Sequence, residues 1–149
     1  FIEKKNSKFA IADGTKLPFK ENCFEEIRLI HVLEHIPRKE HEKIYKEVYR
    51  TLQPNGFVFI EVPDFVKICY LIVDEYQKLC EENLERIRCW TLSVYGKGRG
   101  IGDFHRWGFY PQLLRKDLES HGFKVEFPNN IHISNHYMME PVILVKATK

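Results

Sequence analysis

Apolar and polar positions along the chain form blocks that predict strands and helices in alternation. Residues 8–13 (KFAIAD) are a short β-rich run that stops at an Asp-Gly turn pair. Residues 25–33 (EEIRLIHVL) are apolar at most positions, which is typical of a strand covered on both faces. Residues 37–52 place apolar side chains four positions apart among charged ones. This pattern predicts an amphipathic helix, which ends at the QPNG stretch of residues 53–56.

The rest of the chain continues the alternation with a strand, a long helix, a glycine-rich loop, a helix and two strands. In that order these elements cover residues 57–63, 65–90, 95–109, 110–123, 124–127 and 142–147. The order of strands and helices predicts an α/β fold, with a largely parallel sheet and helices on both faces. No helix separates the last two strands, so the strand at 142–147 is expected to lie between 57–63 and 124–127, antiparallel to both.

Composition narrows the class of protein. The 149 residues are 44% hydrophobic and 13% aromatic, which suits a single domain spanning residues 1–149. The 23 basic and 21 acidic residues give a formal charge of +2, so a nucleic-acid partner is not indicated. Four cysteines at irregular spacings predict reduced thiols. There is no signal peptide and no apolar run near the ~20 residues of a membrane span, so we expect a cytoplasmic protein without a membrane partner.

The stretch HVLEH, residues 31–35, matches the H-x-x-E-H pattern of inverted zinc peptidases. Such a site needs both histidines on one face of an uninterrupted helix. Here His31 closes a predicted strand and Pro37 follows His35 closely, so no metal site is predicted. A zinc hydrolase that uses His31 and His35 is kept as an alternative that metal analysis would test.

Two longer stretches, residues 12–37 (ADGTKLPFKENCFEEIRLIHVLEHIP) and 47–64 (EVYRTLQPNGFVFIEVPD), carry a family resemblance. Together they resemble the class I S-adenosylmethionine-dependent methyltransferases. The match is to the broad methyltransferase type 11-like group, in which D-x-x-x-LPF and LEH precede R-x-L-x-P-x-G. Residues 103–127 also look like that group. The resemblance implies a Rossmann-like sheet, S-adenosylmethionine as cofactor and transfer of a methyl group to a small-molecule or other acceptor that the sequence does not name.

The same resemblance implies a cofactor-binding set. Asp13 would accept a hydrogen bond from the adenine amino group, and the backbone amide of Gly14 would reach a ring nitrogen. Leu17 would pack on the adenine face, while His31 and Val32 would approach the methionine end of the cofactor. Read without the family, Asp13 and Gly14 are also common in plain turns, and an apolar strand often ends in a structural histidine. His35 is expected to cap or pack.

If a base is needed, His105 in the DFHRW stretch is the candidate catalytic residue, because it lies in the loop expected on the substrate side and titrates near neutrality. A structural role for His105 remains the alternative. Asp103 and Arg106 would orient a polar acceptor or pair with each other. The four glycines between residues 96 and 102 predict a mobile loop without ligand.

The family's glycine-rich turn and its ribose-binding acidic residue would precede Asp13, yet only twelve residues do so here. We therefore expect an amino-terminally truncated domain whose sheet lacks its first strands. Such a chain is expected to be inactive alone, to bind the cofactor weakly and to form a homodimer through the exposed edge of the 25–33 strand. The alternative function is a non-catalytic interaction module derived from the methyltransferase fold.

Overall fold

The computed structural model describes residues 11–78, 81–100, 102–128 and 140–149. Two short 3-10 turns, Leu33–His35 and Arg38–Glu40, precede the first helix. The strands are β1 (Phe24–Ile30), β2 (Leu52–Pro63), β3 (Lys124–Glu126) and β4 (Val142–Thr148). The helices are α1 (His41–Thr51), α2 (Phe65–Gln77), α3 (Glu81–Tyr95) and α4 (Pro111–Glu119).

The four strands form one sheet in the order β1-β2-β4-β3. β1 runs parallel to β2, whereas β4 runs antiparallel to both β2 and β3. The predicted α/β fold and the predicted place and direction of the last strand are therefore confirmed. The prediction of a largely parallel sheet is wrong for the described residues, because two of the three strand pairings are antiparallel and the sheet is mixed.

The strand predicted for residues 8–13 does not form over residues 11–13. Residues 8–10 lie outside the described residues, and residues 11 and 12 belong to no strand. Asp13 makes only an isolated bridge with Lys16. Its Oδ1 accepts hydrogen bonds from the backbone N–H and the hydroxyl of Thr15, each at 2.8 Å, and this local bonding turns the chain instead of extending it.

The QPNG stretch lies inside β2 and not in a turn before it. Phe24 pairs with Leu52, and the next registered pair is Glu26 with Phe57, so one residue of β1 faces the four residues 53–56. This bulge brings Gly56 against β1, where an added Cβ would lie 3.0 Å from the carbonyl oxygen of Glu25. Proline and glycine here mark a bulge at which pairing is interrupted and then resumes.

The long helix predicted over residues 65–90 is two helices, α2 and α3, which pack against each other. Asp64 caps α2, since its carboxylate accepts the backbone N–H of Lys67 at 3.1 Å. Near the other end, the carbonyl of Glu75 accepts the N–H of Lys78 at 3.2 Å and the side-chain amide of Asn83 at 3.4 Å. Among the described helices, none combines the length with the apolar character that a bilayer crossing requires.

α1 and α4 cover one face of the sheet. Alternate residues of β2 and β4 point toward them, because successive side chains of a strand face opposite sides. Leu114 and Leu118 of α4 are fully buried, as predicted, and Gly122 follows this helix with a φ of 89°. The shared cluster includes Ile44, Tyr45, Val48, Val58, Ile60, Val62, Leu114, Leu118, Ile143 and Val145.

His41, at the start of α1, fastens the Leu33–His35 turn to this helix. Its Nε2 lies 3.1 Å from the carbonyl oxygen of Leu33 and 3.0 Å from that of Ile36, so Nε2–H donates to both. Its Nδ1 lies 3.4 Å from a guanidinium nitrogen of Arg38, and its ring stacks on Phe109 with centroids 5.3 Å apart. These contacts require the neutral imidazole.

This requirement predicts an acid-sensitive contribution to stability. Burial lowers the pKa of His41 and Arg38 lowers it further, against the opposing effects of the Ile36 and Leu33 carbonyls and of Asp117. Because the folded-state pKa is depressed, the contribution is present above the unfolded pKa of about 6.5 and is lost as the pH falls below it. The loss is up to about 1.4 kcal/mol per pH unit.

Urea unfolding of the wild type and of a His41→Gln variant at about pH 7.5 and about pH 5.5 measures this contribution. The stability advantage of the wild type is expected to shrink at the lower pH. The comparison isolates His41, since both proteins share every other titrating group. An advantage that stays constant or grows toward acid pH would contradict the assignment.

Candidate functional site

A cavity of about 780 Å³ lies at the carboxyl ends of β1 and β2. His31 enters it directly after β1, and Glu140 enters it just before β4, whose first residue pairs with the last residue of β2. Residues of α3 and of the segment that follows this helix supply the opposite wall. The lining residues discussed below are His31, Glu34, His35, Trp90, His105 and Glu140. The structure thus brings two of the predicted site residues, His31 and His105, into one cavity.

His31 is held between two buried carboxylates. Its backbone has a φ of 51°, which is uncommon for a residue with a side chain, and its N–H donates to the carbonyl of Glu61 at 2.9 Å. Its Nδ1 lies 3.0 Å from Oε1 of Glu34, and its Nε2 lies 3.4 Å from Oε1 of Glu61. The hydrogen bond with Glu34 raises the pKa of His31, although burial opposes this shift. The charged imidazolium is therefore favoured at this position.

Glu34 links the turn after β1 to the segment that carries His105. Its backbone carbonyl accepts the N–H of Arg106 at 2.6 Å and that of Trp107 at 3.3 Å. The neighbouring His35 donates from Nδ1 to the carbonyl of Phe104 at 3.3 Å. The expectation that His35 caps or packs is met only in part, because its ring also lies in the cavity.

His105 sits beside His35, with ring centroids 4.8 Å apart and planes at 78°. Its backbone N–H donates to the carbonyl of Tyr95 at 3.0 Å, which secures it to the end of α3. Burial lowers the pKa of His105, so the neutral imidazole is favoured and retains a lone pair for a proton or a cation. His31 and His105 thus favour opposite protonation states within one cavity.

Asp103 and Arg106, predicted to act together or to pair, are placed differently in the structure. Oδ2 of Asp103 accepts the backbone N–H of Arg99 at 3.0 Å, which closes the glycine-rich loop on itself. Within the described part of the chain, no ion pair joins Asp103 to Arg106. Asp103 lines the cavity, whereas Arg106 does not. Mobility of the loop remains a prediction.

Gly96 is the tightest point of this loop. It bridges to Phe104 with a φ of 83°, and an added Cβ would lie 1.9 Å from the carbonyl oxygen of Asp103. Gly96→Ala is expected to lower the free energy of unfolding by about 2 kcal/mol or more, because the left-handed backbone and the clash both oppose it. Gly100→Ala is the matched control, since an added Cβ there meets no atom within 4 Å. Chemical denaturation of both variants measures the effect; equal stabilities would contradict it.

Asp13, Gly14 and Leu17 do not line this cavity. They belong to a loop that contacts α1. The backbone N–H of Leu17 donates to Oε2 of Glu47 at 2.7 Å. Ion pairing with Arg50 holds this carboxyl in place and lowers the pKa of Glu47 to about 2. Asp13 is exposed and uses Oδ1 in its own turn, while Oδ2 accepts no hydrogen bond from the described residues.

Val32 is 38% exposed and precedes the Leu33–His35 turn without lining the cavity. Of the five residues expected to bind a cofactor, the structure therefore places only His31 in the cavity. It leaves Asp13, Gly14 and Leu17 together on a neighbouring loop.

Sequence reasoning missed several residues of the site. Glu34, Glu61 and Glu140 are buried acids beside His31, and burial raises the pKa of Glu140. A signal was present for Glu61, because a lone charge inside the apolar FVFIEVP run is unusual for a strand buried on both faces. Trp90 carried no signal beyond an ordinary core position.

One group of potential metal ligands stands out among the described residues. Glu34, His35 and His105 each offer a ligand atom, and these atoms all lie within 4.8 Å of one another. The Leu33–His35 turn has three residues, so the long ligand helix of a peptidase is absent from this region, as expected. The histidine that joins His35 in this group is His105, and not His31.

The family model and the relatives that match this chain are all methyltransferases. A family model described as "Methyltransferase domain" matches residues 2–60. Sterol 24-C-methyltransferase ERG6 of Saccharomyces cerevisiae is 27% identical over 117 residues, which cover 78% of this chain and 26% of that protein. The ubiquinone/menaquinone biosynthesis C-methyltransferase UbiE of Rickettsia prowazekii is 32% identical over 80 residues, covering 53% of this chain and 30% of that protein. The chain thus spans less than a third of either relative.

Solved structures show the same fold. A SAM-dependent methyltransferase from Methanosarcina mazei superposes with a TM-score of 0.66 at 19% identity, covering 99% of this chain and 70% of that one. Human N-acetylserotonin methyltransferase, solved in complex with SAM, gives a TM-score of 0.57 at 16% identity, covering 99% of this chain and 36% of that one. In both, the match extends over nearly the whole of this chain.

Proposed function

We propose that the protein is an S-adenosylmethionine-dependent methyltransferase, in keeping with the methyltransferase family model that matches residues 2–60, and that it transfers a methyl group to an acceptor bound in the cavity. The observation that carries this proposal is the position of the cavity. It lies beyond the carboxyl ends of β1 and β2, where open α/β sheets bind their ligands. His31, which directly follows β1, is both a wall of the cavity and a residue of the matched family segment.

The proposal assigns the adenine side of the cofactor to Asp13, Gly14 and Leu17. The exposed carboxylate of Asp13 keeps Oδ2 available, and the loop is anchored on α1 through Glu47. His31 and the exposed Val32 lie one strand further along the chain and are assigned to the methionine side.

His105 is assigned the role of base. The cofactor supplies a methyl group that is already activated as a sulfonium, so the protein has to align the acceptor and exclude water. The proton that leaves the acceptor passes to the neutral imidazole of His105, which lines the cavity. Trp90 provides an aromatic wall for a small-molecule or other acceptor. The acceptor is left open, because the substrates in the names of the two relatives belong to those proteins.

Two finer features are part of the proposal. β1 pairs only with β2 within the described residues, so one of its edges is open to a second strand, and we assign that edge to a symmetric homodimer. Cys23, Cys69 and Cys89 are free thiols, which supports a reducing, cytoplasmic location. Light scattering of the purified protein tests the homodimer. A monomer at all concentrations would contradict it.

The main test uses the protein expressed from its complete reading frame. Calorimetric titration is expected to show S-adenosylmethionine binding, and a methyl-tritiated cofactor is expected to label a metabolite fraction from the source cells. Asp13→Ala is expected to weaken cofactor binding by about tenfold or more, since a charge-assisted hydrogen bond is lost. Asp74→Ala, an exposed aspartate of α2 paired with Lys78, is the matched control.

Absence of cofactor binding by the complete protein would remove the proposed function. Equal affinities for Asp13→Ala and Asp74→Ala would remove only the assignment of the adenine side. The two outcomes are therefore separable.

A further inference from the structure

Glu34, His35 and His105 supply one carboxylate and two imidazoles, from segments about seventy positions apart in the chain. Ligands that share one zinc ion at ~2.1 Å are at most about 4.2 Å apart. Nε2 of His35 and Oε1 of Glu34 already lie 4.0 Å apart, and all three ligand atoms fall within 4.8 Å. Small side-chain rotations are therefore enough to bring the three atoms to coordination distance.

Glu34 has a buried carboxylate with one oxygen that is available as a ligand. Its side chain is 1% exposed, and its Oε2 has no hydrogen-bond partner among the described residues. A buried carboxylate oxygen without a partner costs free energy of folding. Oε2 is closed to a water molecule, but a metal ion is smaller than water and binds carboxylate oxygen directly. A cation that both oxygens of the Glu34 carboxylate bind would remove the cost.

The surroundings of the three groups resemble those of ligands in metal sites. A ligating histidine usually donates its other ring N–H to a backbone carbonyl, and Nδ1 of His35 does so to Phe104. The neutral tautomer that makes this bond carries its lone pair on Nε2, which faces Oε1 of Glu34. The backbone of His105 is held by its N–H bond to the carbonyl of Tyr95 at 3.0 Å. Oε1 of Glu34 is itself oriented by His31 at 3.0 Å.

We propose that Glu34, His35 and His105 form a binding site for one divalent transition-metal ion, with zinc as the cation of best fit. Two imidazoles and one carboxylate are a ligand set that zinc accepts, and the adjoining cavity leaves an open position for water. The proposal stands on this cluster and does not depend on methyl transfer. A bound ion occupies the lone pair with which His105 would accept a proton, so zinc is expected to inhibit transfer.

Zinc chloride titrated into the purified, chelator-treated chain, prepared without a histidine tag, tests the site by calorimetry. One zinc ion per chain is expected to bind, and cobalt(II) in its place is expected to give visible absorption bands. Glu34→Gln and His35→Gln are each expected to weaken zinc binding by at least about tenfold. Neither cofactor nor acceptor is present, so the result is independent of the proposed function.

Two controls make the assignment specific. Cys89→Ser removes a thiol that lines the same cavity, and His121→Gln removes an imidazole bonded to the Asp117 carbonyl on α4. Both variants are expected to bind zinc like the wild type. Circular dichroism establishes that each variant is folded, and His35→Gln serves if Glu34→Gln is not. No zinc binding by the wild type, or binding that survives His35→Gln and is lost in Cys89→Ser, would overturn the site.

Discussion

Replacing His105 with glutamine in the complete, active protein is expected to lower kcat by about 10²–10⁴-fold, the usual contribution of a positioned general base. Glutamine retains a polar side chain of similar reach but has no lone pair basic enough to take a proton at neutral pH. The environment supports this role, because burial lowers the pKa of His105 and keeps its imidazole neutral. The backbone bond to Tyr95 holds the residue in place whatever its side chain.

The measurement is the initial rate of methyl transfer at saturating cofactor and acceptor in metal-free buffer. Cofactor affinity is expected to stay near that of the wild type, since His105 is assigned to the acceptor and not to the cofactor. His121→Gln is the control, because His121 lies on the far side of α1, against Tyr45, and outside the cavity. Turnover of His105→Gln within about twofold of the wild type would show that it is not the base.

Replacing Phe109 with alanine is expected to lower the free energy of unfolding by about 3–5 kcal/mol. Phe109 is 1% exposed, belongs to the main apolar cluster and stacks on His41. Its carbonyl also accepts the N–H of Phe65 at 3.0 Å, which joins the end of the glycine-rich loop to the start of α2. Truncation leaves a cavity among rigid neighbours and loosens the support of the His41 ring.

Phe104→Ala is the matched control, since it removes the same side chain from the same loop at a position that is 51% exposed. Its cost is expected to be about 1 kcal/mol or less. Urea unfolding followed by circular dichroism compares the two variants. Losses of equal size would mean that Phe109 is not part of the core.

The order of the strands was predictable because it follows from a general constraint on connections. The sequence predicts no helix between the last two strands, which favours a hairpin over a parallel crossover and so places β4 beside β3. The break between α2 and α3 was not predictable, because it involves the contact of Asn83 with the Glu75 carbonyl, eight residues away. Likewise the QPNG stretch has the local chemistry of a turn, and only pairing with β1 makes it a bulge.

The part of the candidate site that lies at the end of a strand or in a polar loop was predictable from the sequence. His31 directly follows a strand, and His105 lies in a loop rich in polar and aromatic groups, so both were found. The partnership of His35 with His105 depends on a turn and a loop far apart in sequence, and it leaves no local pattern. Glu34 was read as part of a family motif, while its burial and its partnerless oxygen emerge only from packing.

The position of β4 has a consequence for the order in which the protein can fold during synthesis. β4 is made after β3, yet it is the only strand that connects β3 to the rest of the described sheet. A nascent chain that stops before Val142 can pair β1 with β2, but it leaves β3 without a neighbour and one side of β2 open. Completion of the described sheet therefore waits for the segment after residue 141 to leave the ribosome, and until then one edge of β2 keeps unpaired backbone N–H and C=O groups.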